Sequence, residues 1–248
     1  MTQATTQTIK PDSPPEPAAG SQRVLVWDLP VRIGHWLMAL SFAGAYLTAE
    51  QERWQWLHLS LGYGFLGLVL FRVLWGLFGS RHARFSQFVR GPSAVLRYLR
   101  SLLSGRPEHH TGHNPAGALA VLGLLGLGLL IGLSGHALRL GGSHALEELH
   151  EALAAAMLGL VLIHVAAVVL SSVLHRENLV TAMFSGRKRG AAGEAIRAPR
   201  APWAVLMLSL LIGFWVLQWQ TEGQAFGLAG DGERHEQRGE HGEHDDDD

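Results

Sequence analysis

Five long apolar runs most constrain what this chain of 248 residues can fold into. They cover about residues 31–49, 57–79, 115–134, 148–174 and 203–219. A helix needs about 20 apolar residues to cross a lipid bilayer, and these runs are of that order. Hydrophobic residues make up 48% of the chain and are gathered into these runs. The sequence therefore predicts an all-α membrane protein, a four-helix transmembrane bundle with a fifth C-terminal transmembrane helix.

The fourth apolar run contains two histidines, His150 and His164. Their separation is close to four helical turns, so both side chains leave the same helix face about 21 Å apart along the axis. An ionisable side chain within a membrane span is costly and by default indicates an ion path, a proton relay or a cofactor. The alternative is that His150 caps the helix at the interface while His164 bonds a neighbouring helix. The pair at this spacing favours two ligand sites stacked across the membrane.

The distribution of basic residues predicts the orientation of the chain. Residues 80–114 carry six arginines against one acidic residue, and residues 175–200 are also basic. The connections after the first and third runs are short and slightly acidic. Because basic loops stay in the cytoplasm, we expect a cytoplasmic N-terminus and a periplasmic C-terminus in the bacterial inner membrane.

This orientation decides which histidines can meet. His35 enters the first run from the cytoplasmic side, at the depth that His164 reaches in the fourth. His58 begins the second run on the outer side, at the depth of His150. Two facing pairs of imidazoles in a four-helix bundle are what two six-coordinate b-type haems require. The chain has no cysteine, which excludes iron–sulfur clusters and covalent haem attachment through thiols.

Two arginines are candidates for the haem propionates. Arg32 and Arg72 lie at the depth of the cytoplasmic-side pair, and a buried arginine in lipid needs an anion. The alternative for Arg32 is a positively charged anchor at the membrane face. His175 is interpreted as an interfacial residue. Six further histidines lie between the runs and are predicted to be solvated: His82, His109, His110, His113, His136 and His144.

Local signals add detail to the predicted bundle. Asp28 can cap the first helix just before Pro30. Gly128 and Gly132 have the spacing of close helix packing, and small residues there also leave room for a flat ligand. Residues 92–103 have the periodicity of a helix lying flat on the membrane, with a solvated loop as the alternative.

The chain divides into four predicted regions. Residues 1–22 form a disordered cytoplasmic tail, residues 23–190 the di-haem domain, and residues 191–220 a linker with the fifth helix. Residues 221–248 form a disordered periplasmic tail with ten acidic residues, two arginines and three histidines. The tail is interpreted either as a solvated or loosely metal-binding segment, or as a docking segment for a basic periplasmic c-type cytochrome.

Four blocks resemble the bacterial cytochrome b561 family, which includes the b-type subunits of nickel–iron hydrogenases. They cover about residues 24–189 and appear in this order: VWDLPVRIGHW, LHLSLGYGFLGLVLFRVLWGLFGSRHARF, GHNPAGALAVL and LHEALAAAMLGLVLIHVAAVVLSSVLHRENLVTAMFSGRKR. The resemblance implies a four-helix bundle that holds two haems b and passes electrons between the quinone pool and a partner protein. It implies the same four histidines as ligands. The fifth run and the acidic tail depart from this pattern.

The sequence thus predicts transmembrane electron transfer, with a periplasmic c-type cytochrome as partner and quinone as a second redox partner. One alternative is a cytochrome anchor of a hydrogenase-like complex, with quinone oxidoreductase activity left open. Another is a divalent-metal transporter, which the lack of acidic residues in the centre of any run disfavours. Membrane lipid is an expected partner, nucleic acid is not, and an oligomer is compatible with the sequence.

Overall fold

The computed structural model describes residues 22–89, 91–104 and 112–223. The chain is mostly helical, and its helices are α1 Leu29–Thr48, α2 Gln55–Phe78, α3 Phe85–Phe88, α4 Pro92–Leu103, α5 Pro115–Arg139, α6 His144–Leu174, α7 Leu179–Ser185 and α8 Ala201–Gln218. Two short strands accompany them, β1 Gln22–Leu25 and β2 Arg187–Gly190. The predicted terminal tails, His109 and His110 lie outside the described residues, apart from a few residues at the inner ends of the tails.

Four segments are long and apolar enough to cross a membrane, by length and composition. They are Glu52–Phe78, Pro115–Arg139, His144–Leu174 and Ala201–Thr221. Helix α1, the first predicted span, is not among them although it has 20 residues, and it carries Arg32 and His35 in its first two turns. The chain is therefore an integral membrane protein with four candidate spans in its described part, while the predicted count of five is not established by composition.

Asp28 fixes the start of α1, as predicted from the sequence. Its carboxylate accepts a hydrogen bond from the Val31 backbone N–H at 2.9 Å, and Pro30 occupies the first turn. The second carboxylate oxygen accepts from the indole N–H of Trp75 at 3.0 Å. Asp28 is fully buried, so these bonds compensate for the loss of hydration and also tie α1 to the end of α2.

The bundle consists of two helix hairpins, α1 with α2 and α5 with α6, joined mainly by packing of α2 on α5. The predicted role of the small residues in α5 is confirmed. A Cβ atom on Gly128 would lie 3.1 Å from the Val69 side chain, and one on Gly132 would lie 2.5 Å from Leu66. The glycines therefore let α5 approach α2 closely.

Helix α8 packs on the outer face of the first hairpin, against both α1 and α2. Met207 and Leu211 are buried there with Leu68. Gly34 and Gly64 make room, because a Cβ atom on Gly34 would be 3.5 Å from the Met207 sulfur and one on Gly64 would be 3.1 Å from the Trp215 indole nitrogen. The predicted C-terminal apolar helix thus exists and belongs to the same packed unit.

The sequence analysis did not anticipate the two strands. They pair antiparallel, with Gln22 opposite Gly190 and Leu25 opposite Arg187. The backbone of the following segment also bonds to this end of the bundle, through Ile196 N–H to the Leu25 carbonyl at 2.8 Å. The pairing brings the start of α1, the end of α6 and the start of α8 to one end of the molecule.

Helix α4 forms over the segment for which an amphipathic helix was predicted. It packs on α5 and buries Tyr98, which is 1% exposed, while Arg97 and Arg100 are exposed. This division into an apolar and a basic face is typical of helices at a membrane surface. Its placement flat on the membrane stays a prediction.

Candidate functional site

The first histidine pair joins α2 to α6 at the end where α2 begins. The ring centres of His58 and His150 are 6.4 Å apart, and the ring planes are inclined at 76°. The sequence analysis predicts this pair, because His58 and His150 lie at the same depth in the membrane. For convenience we call it the outer pair, after its predicted side.

Hydrogen bonds set the tautomer of both outer histidines. The Nδ1–H of His58 donates to the Ala45 carbonyl at 2.8 Å, since a carbonyl can only accept. The Ser134 hydroxyl donates to the Ile131 carbonyl at 3.0 Å and accepts from the Nδ1–H of His150 at 2.9 Å. In each ring the Nε2 lone pair is therefore left for a metal, the arrangement that typically orients a metal-bound histidine.

Gly135 lets the outer pair approach α5. A Cβ atom there would lie 3.1 Å from Cε1 of His150. Any larger residue would push the imidazole away from Ser134, so the backbone of α5 itself forms one wall of the site.

The second pair lies at the other end, between α1 and α6, and we call it the inner pair. The ring centres of His35 and His164 are 6.5 Å apart, with planes inclined at 54°. The His35 ring also meets Trp36 edge to face at 5.1 Å. Its Nδ1 is inaccessible to solvent and has no hydrogen-bond partner within the described residues.

An apolar layer separates the two pairs. It is formed by buried side chains from four helices, with the Phe42 and Phe65 rings 5.9 Å apart: Phe42, Phe65, Val69, Leu125 and Met157. The two sites are thus distinct, and the layer between them excludes water.

The spacing within each pair fits a single iron atom between two imidazoles. An imidazole nitrogen lies about 2 Å from a metal ion that it binds, so two imidazoles on one metal hold their ring centres about 6 Å apart. Helices α1 and α6 pack mainly on their own hairpin partners and little on each other. The donor type and the spacing of the rings therefore fit iron held between the two histidines of each pair.

The two predicted arginines both lie at the inner end. Arg72 is 7% exposed, donates to the Ala83 carbonyl at 3.3 Å and lies over the Phe85 ring. Arg32 donates from Nη2 to the Phe184 carbonyl, while its Nε is inaccessible and without a partner in the described part of the chain. Their presence at the inner pair agrees with the predicted depth, and a role with propionates stays a prediction.

The interpretation of His113 as a solvated loop residue is wrong. Its ring meets Trp27 at 4.6 Å and Phe88 at 4.4 Å, and its Nδ1 is inaccessible. Burial lowers the pKa of His113 to about 3, with further lowering by the charges of Arg72 and Lys188. The imidazole is therefore neutral at physiological pH.

Of the three other described histidines that were interpreted as solvated, two have hydrogen-bond partners elsewhere in the chain. His82 bonds through Nε2 to the Glu194 carbonyl at 2.8 Å and is only partly exposed. His136 belongs to the last turn of α5 and its Nδ1 lies 3.0 Å from the Tyr63 hydroxyl. His144 is exposed, as expected, and pairs with Glu148.

One sequence signal could have indicated that His113 is buried. Asn114 follows it directly and caps α5, accepting from the Gly117 N–H at 2.6 Å. The cap fixes where α5 begins, so His113 lies at the end of the bundle, beside Trp27 and Phe88. In the part of the chain that the structure describes, no group of three or more His, Cys, Asp or Glu side chains could hold a metal ion.

Facing imidazole pairs inside a bundle of apolar helices are typical of membrane cytochromes that bind haem through histidine. The sequence profile of prokaryotic cytochrome b561 matches residues 26–186, which include every histidine of both pairs. This chain belongs to the prokaryotic cytochrome b561 family.

A curated relative supports the assignment. The chain is 23% identical over 230 residues to a probable Ni/Fe-hydrogenase B-type cytochrome subunit from Rhizobium leguminosarum bv. viciae, a match that covers 73% of this chain and 95% of the relative. No solved structure gives a significant match. The chain is accordingly a transmembrane b-type cytochrome of electron transfer, and b-type haem is the cofactor that its family implies.

The histidine pairs predict how ligand substitutions group. His58→Ala and His150→Ala should each remove the outer haem and leave the inner one, while His35→Ala and His164→Ala should do the reverse. Haem-to-protein ratios and low-temperature reduced spectra of the four purified variants measure this. His136→Ala, which changes a histidine outside both pairs, should retain the full haem content. Any other grouping of the four variants would show that the pairs do not each hold one haem.

Proposed function

We propose that this protein transfers electrons across the membrane through two b-type haems, each held by one histidine pair, between the quinone pool and a redox partner protein. The observation that carries the proposal is the presence of two facing imidazole pairs, with ring centres 6.4 Å and 6.5 Å apart. The family and the hydrogenase-type relative agree with it.

Haem supplies a one-electron couple at each pair, and the chain's own residues set how it is held. The Nε2 atoms of His58 and His150 would hold the haem, with Ala45 and Ser134 keeping the rings in place. Iron held by two protein histidines would serve electron transfer rather than oxygen chemistry.

Arginines at the inner end and apolar residues between the two sites have further roles in this proposal. Arg32 and Arg72 would neutralise propionates at the inner end, because carboxylates in a low-dielectric region need cationic hydrogen-bond donors. Phe42, Phe65 and Met157 exclude water from the region between the two sites. Electrons would therefore pass from one site to the other, and ions would have no water-filled path through the bundle.

Two partner proteins are supported by different observations. The relative's name, a hydrogenase B-type cytochrome subunit, favours a hydrogenase-like redox subunit for which this chain is the membrane anchor. The acidic C-terminal tail favours a basic periplasmic c-type cytochrome, since long-range charge accelerates encounter between opposite charges. Quinone is the second redox partner in both cases.

We also propose that the chain crosses the membrane five times, from a cytoplasmic N-terminus to a periplasmic C-terminus. The basic segments converge at one end, where Arg81 donates to the Gly193 carbonyl at 3.1 Å. At the other end Trp56, near the start of α2, meets Trp219, beyond the end of α8, at 5.6 Å. Basic segments gathered at one end support this orientation, and tryptophans near both ends are typical of the two membrane faces.

The haem content and its reduction test the proposed function. Protein purified from membranes of haem-supplied cells should contain two haems b per chain, with a sharp dithionite-reduced spectrum. In proteoliposomes that enclose ferricyanide, added quinol should reduce the enclosed oxidant only when both histidine pairs are intact. A colourless preparation would overturn the proposal, and coloured protein without transmembrane reduction would overturn the electron path.

The orientation has its own test. In spheroplasts, where the periplasmic face is accessible, added protease should remove an epitope fused after residue 248 and spare one fused before residue 1. In inverted vesicles the pattern should reverse. Cleavage of both epitopes from the same side of sealed membranes would show an even number of crossings, and α1 or α8 would then not span the membrane.

The acidic tail predicts a salt-dependent effect on electron exchange. Removing residues 231–248, which carry most of the tail's acidic residues, should slow exchange with a basic soluble c-type cytochrome at low ionic strength. The difference should vanish in about 1 M salt, where the screening length is about 3 Å. Stopped-flow rates of full-length and truncated protein measure this, with an uncharged mediator as the control. Equal rates at low salt would show that the acidic tail does not help the cytochrome to dock.

A further inference from the structure

The first two turns of α1 contain two N–H donors for which the described residues supply no acceptor. Arg32 and Trp36 are four residues apart, so their side chains lie on the same face of the helix. The Nε of Arg32 and the Nε1 of Trp36 are inaccessible to solvent and have no hydrogen-bond partner among the described residues. Leaving a buried donor unpaired is costly, so two such donors on one helix face indicate an acceptor that belongs to a ligand.

The indole of Trp36 lies against a histidine of the inner pair. The ring centres of Trp36 and His35 are 5.1 Å apart, and the ring planes are inclined at 89°. The His35 ring in turn faces that of His164 across 6.5 Å. The unpaired indole N–H is therefore next to the place where the inner haem is proposed to bind.

Phe184 of α7 holds both donor side chains in place. Its ring stacks on the Trp36 indole, with ring centres 4.4 Å apart and planes inclined at 19°. Its backbone carbonyl accepts a hydrogen bond from Nη2 of Arg32. One residue thus orients the indole and the guanidinium together, and it uses neither the Nε1 of Trp36 nor the Nε of Arg32.

Gly186 brings the end of α7 close to α1. It ends α7 in the left-handed conformation, with φ 76°, and its carbonyl accepts from the backbone N–H groups of Val26 at 2.8 Å and Trp27 at 3.0 Å. A Cβ atom there would lie 2.7 Å from the Trp27 carbonyl oxygen and 3.2 Å from Cδ of Arg32. Glycine is the residue that tolerates both this conformation and this close approach, so the backbone itself fixes the position of Phe184.

The two donors indicate the chemistry of their acceptor. An indole N–H only donates, and a guanidinium carries a positive charge, so together they favour an anionic oxygen. Asp28, the buried carboxylate at this end of the bundle, already accepts two hydrogen bonds from other residues. A lipid phosphate has the same kind of oxygen, but the contact of Trp36 with His35 favours a carboxylate of the group held by the inner pair.

We propose that the indole N–H of Trp36 donates a hydrogen bond to a propionate carboxylate of the inner haem, beside Arg32. This inference rests on the proposed function, because it requires a haem between His35 and His164. A donor on the propionate offsets part of its negative charge, which otherwise stabilises the oxidised iron. Trp36 is therefore a cofactor-binding residue that raises the midpoint potential of the inner haem.

Replacing Trp36 with phenylalanine removes the N–H and keeps an aromatic ring to stack on Phe184. In the full-length protein in membranes, Trp36→Phe should lower the midpoint potential of the inner haem and leave that of the outer haem unchanged. The matched control is Trp215→Phe in α8, which removes an indole N–H that donates to the Ser60 carbonyl at 3.2 Å and should shift neither potential. Redox titration followed by low-temperature spectra measures both potentials.

Resonance Raman spectra test the hydrogen bond itself, because the bending band of a propionate responds to its donors. Trp36→Phe should move the band of the inner haem, which the His58→Ala background identifies by retaining only that haem. An unmoved band in a Trp36→Phe protein with both haems would overturn the proposal, and the indole would then donate to another acceptor such as a lipid phosphate. If the wild-type protein contains no haem, the proposed function itself fails, and that outcome is distinct because no band appears.

A second variant keeps the test decisive if Trp36→Phe fails to bind the inner haem. Phe184 is 58% exposed, so Phe184→Leu should fold, and it removes the stacked ring while keeping the carbonyl that binds Arg32. It should move the same band less than Trp36→Phe does, and it should add no further shift when Trp36 is already phenylalanine. An unmoved band in Phe184→Leu, or an equal shift with and without the indole, would overturn the proposal.

Discussion

The structure depends on the cost of placing imidazoles inside an apolar bundle. A polar side chain in lipid must find a partner, and a neutral imidazole has one donor and one acceptor to satisfy. At the outer pair the donors go to Ala45 and Ser134, which leaves the Nε2 atom of each ring as an acceptor. A metal held by both Nε2 atoms, as proposed above, would satisfy these two acceptors.

Short-range sequence patterns predicted much of the architecture, because membrane helices are determined mainly by length and apolar composition. The Asp28 cap and the close packing of Gly128 and Gly132 were predicted since each needs only neighbouring residues. Helical rise, together with the orientation predicted from the basic loops, matched the histidines by depth. The pairing of Gln22 with Gly190 was missed because the two strands are far apart in the sequence, and nothing in either short segment specifies its partner.

His113 illustrates the limit of reasoning from composition. It lies in a polar, histidine-rich connection, which favours a solvated interpretation, yet Trp27 and Phe88 enclose it. Both aromatic residues come from other segments, so its burial is a property of the tertiary structure.

The two ends of the bundle differ in the features that tune a haem potential. At the outer pair both Nδ1–H groups are hydrogen-bonded, which makes the imidazoles more basic and stabilises the oxidised metal. At the inner pair the Nδ1 of His35 has no partner among the described residues, and Arg72 is a buried cation at the same end of the bundle, which would stabilise the reduced state of a haem there. In the proposed arrangement of two haems, both differences act in the same sense, so an electron would be favoured at the inner site over the outer one.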